Sequence, residues 1–425
     1  MDHPGYTRPK VKENYQRRFS VSYPNEELPA ARPHQTTPAY PLWRDRRAVF
    51  GAQYGMEVVN YFAREDEPLE ETPTFRRSNA FATVAEECRA VREAVGINEI
   101  HNFGKFQVKG PHARDWLDRI MAGRIPKPGR LSLTPMLSPK GKLIGDFTVS
   151  CLSQTQFQLT ASFGMQAAHM RWFEANLSAD DRVMIENIST RRIGFQIAGP
   201  KARDLLKAVA YPEISDMKFM DVRFCDIGTS RAIVQRVSYT GDLGYEIYVP
   251  AEEQPQLFAV LEQAGTPLGM KPFGMRAMMS LRLEKGFGSW AREFRPDYGP
   301  CETGMDRFVA WKKNTDFIGR AAAEKERAEG PARRLCTFAV EADPSNMDQG
   351  DVWGDEPVFI DGKVVGFVTS GGFAHYSQTS VAIGFLPVEL ISEGREVEIE
   401  ILGEMRKARL YTQPLFDPDG ERMRG

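Results

Sequence analysis

The chain has 425 residues, enough by length for about three domains, and its 42% hydrophobic content is material for buried cores. With 55 basic against 57 acidic residues it carries neither the basic stripe of a nucleic-acid binder nor an acidic tail. No apolar run approaches the roughly 20 residues of a membrane span, and Met1 to Tyr23 lacks the apolar stretch of a secretory leader, so a cytoplasmic protein without a membrane or nucleic-acid partner is expected.

Five cysteines (Cys88, Cys151, Cys225, Cys301, Cys336) are scattered and odd in number, and six histidines form no HxH or HExxH cluster. Neither a disulfide framework nor a metal site is expected. Residues 1–75, rich in proline and charge, read as an extended N-terminal arm. From residue 76 the pattern alternates. Ala82 to Val95 has Val84, Cys88, Val91 and Val95 near helical spacing, and Gly104 to Val108 reads as a strand. Pro111 to Met121 follows as a helix with Ala113, Trp116, Leu117 and Ile120 on one face. Gly199 to Leu206 repeats that strand, Gly-Pro, helix scheme, which suggests two similar α+β lobes over 76–330. Residues 331–425 suit a C-terminal β-barrel domain, with short runs at Pro357–Ile360, Val364–Thr369, Val381–Phe385 and Val397–Ile401 broken by Gly and Asp turns.

The most informative segment is Ser238–Pro250, SYTGDLGYEIYVP. Gly241-Asp242-Leu243-Gly244 is a turn, and the strand after it alternates, with Tyr245, Ile247 and Val249 on one face and Glu246 and Tyr248 on the other. A carboxylate held on such a strand can grip a planar ligand with two adjacent N–H donors; the alternative is a hairpin bearing an exposed glutamate. The same turn has the wrong spacing for a dinucleotide fingerprint and leads into a strand, so no flavin-binding half is expected in this chain.

This segment resembles the signature of the glycine-cleavage aminomethyltransferase family. Three more fit in order: PMLSPKGKLIGDFTV at 135–149, IAGPKA at 197–202 and MRAMMSLRLEKG at 275–286. The similarity extends to the folate-binding C-terminal half of dimethylglycine and sarcosine dehydrogenases through Phe103–Phe106, Glu284–Phe287 with Trp290, Phe317–Arg320 and the arm segments Arg18–Val21, Tyr54–Glu57 and Asn60–Phe62. The resemblance implies an α+β, three-lobed folate-binding aminomethyltransferase fold with a C-terminal β-barrel, tetrahydrofolate as cofactor, and a small one-carbon donor.

By that resemblance Asp146 is the catalytic aspartate, the alternative being a turn-closing residue. Glu246 anchors the pterin with Tyr245 lining the ring. Arg276 and Arg282 match family arginines, and an arginine fork suits carboxylate or carbonyl recognition, although a domain-interface salt bridge is open for either. Trp290 is a stacking surface or a core residue. Ser162 stands where the glycine-cleavage enzymes carry a pterin-binding asparagine. His101, in His101-Asn102 where the dehydrogenases show a serine-phenylalanine pair, is a substrate-side acid or base or else a satisfied structural histidine. Three functions remain at this stage: a tetrahydrofolate-dependent one-carbon transferase, the folate-binding subunit of an amine dehydrogenase with a separate flavoprotein partner, and a non-catalytic folate-binding protein.

Overall fold

The computed structural model describes residues 3–425. Three sheets organise it. A five-stranded antiparallel sheet runs in the order Leu131–Leu137, Leu143–Ser153, Gln156–Ser162, Phe103–Lys109, Met184–Asn187. A seven-stranded sheet runs Ala210–Tyr211, Val222–Ile227, Ser230–Gln235, Gly244–Pro250, Arg192–Ala198, Gly96–Glu99, Lys271–Pro272, and only its last pairing is parallel. Strands from Arg333–Val340 to Glu404–Tyr411 close a six-stranded barrel around Phe338, Val358, Val368, Leu386, Ile399 and Leu410.

The two open sheets are built alike. The helix Ala113–Ile120 follows the strand Phe103–Lys109, and the helix Ala202–Val209 follows Arg192–Ala198. Each presents an apolar stripe to its sheet: Ala113, Trp116, Leu117 and Ile120 in the first, Ala202, Leu205 and Leu206 in the second. The first helix begins at Ala113 rather than at the Pro111 turn, because the chain first reverses at Gly110, whose φ is 145°. Together with Gln166–Ala175 on one side and Gln254–Gly265 on the other, these helices bury the outer faces of both sheets. At about 25 cal/mol per Å² of apolar surface, these two cores dominate the stability of their lobes. Among the described residues, no helix is long and apolar enough to cross a membrane.

The arm differs from the extended segment expected. It contains the helix Pro4–Gln16 and a β-hairpin of Ala48–Gln53 with Met56–Phe62, closed at Tyr54-Gly55, where both residues have positive φ. The alternation of buried and exposed positions in this hairpin is masked in the sequence because Met56 to Tyr61 are all buried. The helix Met275–Glu284 packs between the hairpin and the barrel strand Lys363–Ala374, bringing arm, lobes and barrel together.

Candidate functional site: a channel between two polar sheet faces

Each open sheet hides its apolar face beneath helices, so the pleat must turn the intervening residues to the other side. On the five-stranded sheet Phe147, Val149, Phe157, Leu159, Phe106 and Val108 are core, which leaves Asp146, Thr148, Ser150, Gln158, Thr160, Ser162, Lys105 and Gln107 on the opposite face. On the seven-stranded sheet Phe195, Ile197, Val234, Tyr245, Ile247 and Val249 are core, and Gln196, Gln235, Glu246 and Tyr248 point the other way. These two polar faces meet each other instead of solvent. Ile100, Val222, Ile233 and Tyr248 of one lobe cluster with Phe103 and Leu152 of the other.

Glu246 lies in register between Gln235 and Gln196 on the neighbouring strands. The Tyr248 hydroxyl donates to Glu246 Oε2 at 2.7 Å. Burial pushes the Glu246 carboxyl up to about 7, against the pull of that hydroxyl and of the Lys105 ammonium. Asp146, on Leu143–Ser153, has no hydrogen-bonded or ionic side-chain partner among the described residues, and burial raises it to about 7 as well, with only its own amide pulling down. Both carboxylates are half-buried and keep part of their surface accessible. A carboxylate so placed lines the channel, a recess between the two faces. A carboxyl near 7 exchanges a proton at neutral pH, as an acid–base or charge-stabilising group must.

Tyr239 closes the channel beside Asp146. Its hydroxyl donates to the Gly288 carbonyl at 2.8 Å, its ring stacks on Phe287 at 6.0 Å, and burial raises its pKa well above the ordinary tyrosine value, with Glu293 and Asp146 adding to the rise. The turn that follows needs Gly241, at φ 78°, where a Cβ would strike the Lys285 side chain. Trp290 sits edge-on to His169, 6.3 Å between ring centres, and His169 Nε2 lies 3.1 Å from the carbonyl of Ile144, two residues before Asp146. Trp290 is therefore near the Asp146 end of the channel and half-buried against Phe294 and Met305.

Several expectations change. Tyr245 does not line the Glu246 face: it is wholly buried in the outer core, because one residue along a strand reverses the side chain. Tyr248, two residues on, takes that place. His101 is tied down, with Nε2 at 2.8 Å from the Glu57 carbonyl of the arm hairpin and Nδ1 at 3.4 Å from Glu99 Oε2, an ion-pair distance without hydrogen-bond geometry. It reaches neither carboxylate of the channel through a hydrogen bond. Arg282 is fully buried at the joint with the barrel, bonded to the Phe287 carbonyl, to Glu293 and to Ser370, so its terminal nitrogens are occupied. Arg276 pairs with Glu71 of the arm at 2.9 Å and keeps a buried Nη2 without a partner, on a cleft of about 240 Å³ between arm, helix and barrel. Ser162 lies on the polar face, half-buried and opposite Phe103.

Residues the sequence reading did not nominate complete the wall. Gln158 and Gln235 are buried with neither end of their amides partnered, and Ser150 Oγ and Gln196 Oε1 are also unpartnered. Their one sequence signal is strand parity with Asp146 or Glu246. Unpaired buried polar groups are costly, and here they gather beside two carboxylates. Such a wall offers both donors and acceptors to a polar ligand. A separate surface cleft of about 590 Å³, beside Trp116 and Phe317, holds none of these groups.

Comparison with known proteins agrees with this architecture. Residues 39–313 match the family model of the GCVT N-terminal domain, and residues 333–417 that of the glycine cleavage T-protein C-terminal barrel domain. The chain is 34% identical to human mitochondrial dimethylglycine dehydrogenase over 413 residues, which is 96% of this chain and 47% of that protein. It is 27% identical to the aminomethyltransferase of Natranaerobius thermophilus over 79% of this chain and 91% of that one. The chain thus spans about half the length of the dehydrogenases it matches. The crystal structure of glycine cleavage system aminomethyltransferase T from Bartonella henselae shares its fold, with a TM-score of 0.77 at 23% identity, over 91% of this chain and 99% of that chain.

Proposed function

The chain belongs to the glycine cleavage T-protein family, and we propose that it is a tetrahydrofolate-dependent one-carbon transferase acting on a small methylated or methylene-bearing donor. The observation that carries this reading is the pair of channel carboxylates, Asp146 unpartnered on one sheet and Glu246 braced by Tyr248 on the other. When bound, tetrahydrofolate supplies an amine nucleophile that accepts the one-carbon unit. Glu246, as a carboxylate, would accept from the ring's amino and N–H groups, and the amides of Gln158, Gln196 and Gln235 would satisfy its remaining edge. Asp146 would hold or release a proton near neutrality and stabilise positive charge beside it. Tyr239 and Trp290 would shield that end from water, and Arg276 Nη2 is available to a carboxylate or carbonyl at the arm cleft.

A second reading is that the chain takes its one-carbon unit from a flavin-dependent amine dehydrogenase partner. The similarity to dimethylglycine dehydrogenase across nearly the whole chain supports it. One experiment separates the two. Purified chain and tetrahydrofolate are incubated with methylated amines, betaines, sulfonium compounds and aryl ethers, and one-carbon folates are read by mass spectrometry. Product from a donor alone supports direct transfer, and product only with an added flavoprotein dehydrogenase supports the second reading. Absence of reduced-folate binding by calorimetry would overturn both.

A further inference from the structure

Lys105 has no exposed surface, and its ammonium reaches no carboxylate at ion-pair distance. Nζ is held instead by three carbonyls, those of Phe103 at 2.9 Å, His101 at 3.2 Å and Ile100 at 3.4 Å. A lysine so deeply placed is rare unless a charge nearby offsets its desolvation. The register supplies one. Lys105 is paired with Thr160 on the adjacent strand, Thr160 faces the Tyr248 hydroxyl across the channel, and that hydroxyl is bonded to Glu246. The charged and titratable groups facing Lys105 are Glu246 and Tyr248 from Gly244–Pro250 and Glu99 from Gly96–Glu99; His101 turns its ring to Glu57 and Glu99.

We propose that Lys105 is a positioning residue: its ammonium, fixed by the carbonyls at the mouth of its strand, is the cross-sheet counter-charge that keeps Glu246 ionised for ligand recognition. This deepens the folate reading and rests on it. Carbonyls make the arrangement work, because they satisfy the ammonium's hydrogen-bonding needs without cancelling its charge, which leaves that charge to act on Glu246 through the low-dielectric interior between the sheets. Burial lowers the Lys105 pKa to about 7, with Glu246 and then Glu99 holding it up, so lysine and glutamate titrate in the same range and each favours the other's charged form.

The consequence is an acid limb in reduced-folate affinity whose position Lys105 sets. Binding falls as Glu246 protonates, and well above neutrality Glu246 is ionised whether or not Lys105 is charged. The test is calorimetric titration of 5-formyltetrahydrofolate from pH 5.5 to 9.5 on wild type, Lys105→Met, Lys105→Gln and Lys105→Arg, with melting temperatures alongside. In the neutral variants the acid limb should move up by about 1 pH unit or more. Affinity at pH 7, where Glu246 is already about half-ionised, should fall about fivefold for the first such unit and about tenfold for each further one, the loss should shrink by pH 9, and Lys105→Arg should recover part of it. The Gln variant decides if the Met variant does not fold. A lower melting temperature with the acid limb unmoved would make Lys105 purely structural and overturn the proposal. No binding by wild type at any pH would instead remove the folate reading beneath it.

Discussion

Glu246→Gln separates a residue kept for ligand recognition from one kept for folding. Holding the Glu246 carboxyl at about 7 instead of the ordinary 4.5 makes its ionised form costlier than in water, by roughly 3 kcal/mol at 1.36 kcal/mol per tenfold change in proton affinity. The group's pKa is raised on folding. Its contribution to stability is therefore fully present below pH 4.5 and is lost as pH rises through about 7. Glutamine has the same shape, can still accept from the Tyr248 hydroxyl and never ionises. At pH 4 the two proteins should melt nearly alike, and at pH 8.5 the variant should be the more stable. The value of about 7 already includes the Lys105 pull, so the gain is up to about 3 kcal/mol, several degrees in Tm for a chain of this size. Folate affinity should fall at the same time, by about 1.5–3 kcal/mol for a lost charged hydrogen bond. Thermal melts at both pH values with calorimetry at pH 7.5 read all three quantities. Destabilisation at pH 8.5, or unchanged folate affinity, would refute the placing of Glu246 on a ligand-binding wall.

Asp146→Asn keeps the shape and removes the charge, so single-turnover transfer should fall about 10²–10³-fold while the folate dissociation constant and Tm move little; a near-normal rate would remove Asp146 from the chemistry. Tyr248→Phe deletes the 2.7 Å bond that stabilises ionised Glu246, so the acid limb of folate binding should move to higher pH while affinity at pH 9 changes little. Arg282→Met strands the Glu293 carboxylate inside the barrel joint and should cost about 3–5 kcal/mol of stability, read as a drop in Tm with folate affinity per folded molecule unchanged. A selective loss of affinity there would restore Arg282 to the ligand site.

The fold was legible where periodicity and turn chemistry agreed. The barrel strand Glu396–Ile401 alternates cleanly, Pro357–Ile360 is a short apolar run bounded by turns, and the helices Ala113–Ile120 and Ala202–Val209 carry their apolar residues on one stripe. The arm hairpin was not legible, because Met56 to Tyr61 is buried on both faces and so loses its period of two. The placing of Asp146 and Glu246 on the polar sheet faces was legible, and the placing of their neighbours was misread. Tyr245 stands next to Glu246 in sequence and behind it in space, whereas Tyr248 is bonded to it. Arg282 and His101 are polar residues at motif positions, yet Glu293, Ser370 and the Glu57 carbonyl engage them, and those partners lie 11 or more residues away along the chain.

The deeper limit is that alternation says which residues share a sheet face and nothing about what the face looks at. A strand reading apolar-polar-apolar, such as Phe157 to Ala161, normally turns its polar side to water. Here two such sheets turn their polar sides to each other, and Lys105, Gln158, Thr160 and Gln235 are buried while remaining on the hydrophilic side of their strands. What distinguishes this arrangement from an ordinary solvated face is the set of unpartnered donors and acceptors it leaves inside. A folded chain tolerates that set when a ligand or ordered water satisfies it, and the two carboxylates raised toward neutrality carry the same cost in another form. The groups that destabilise the fold are thus the groups that define the channel, and they become visible only when both lobes are in place.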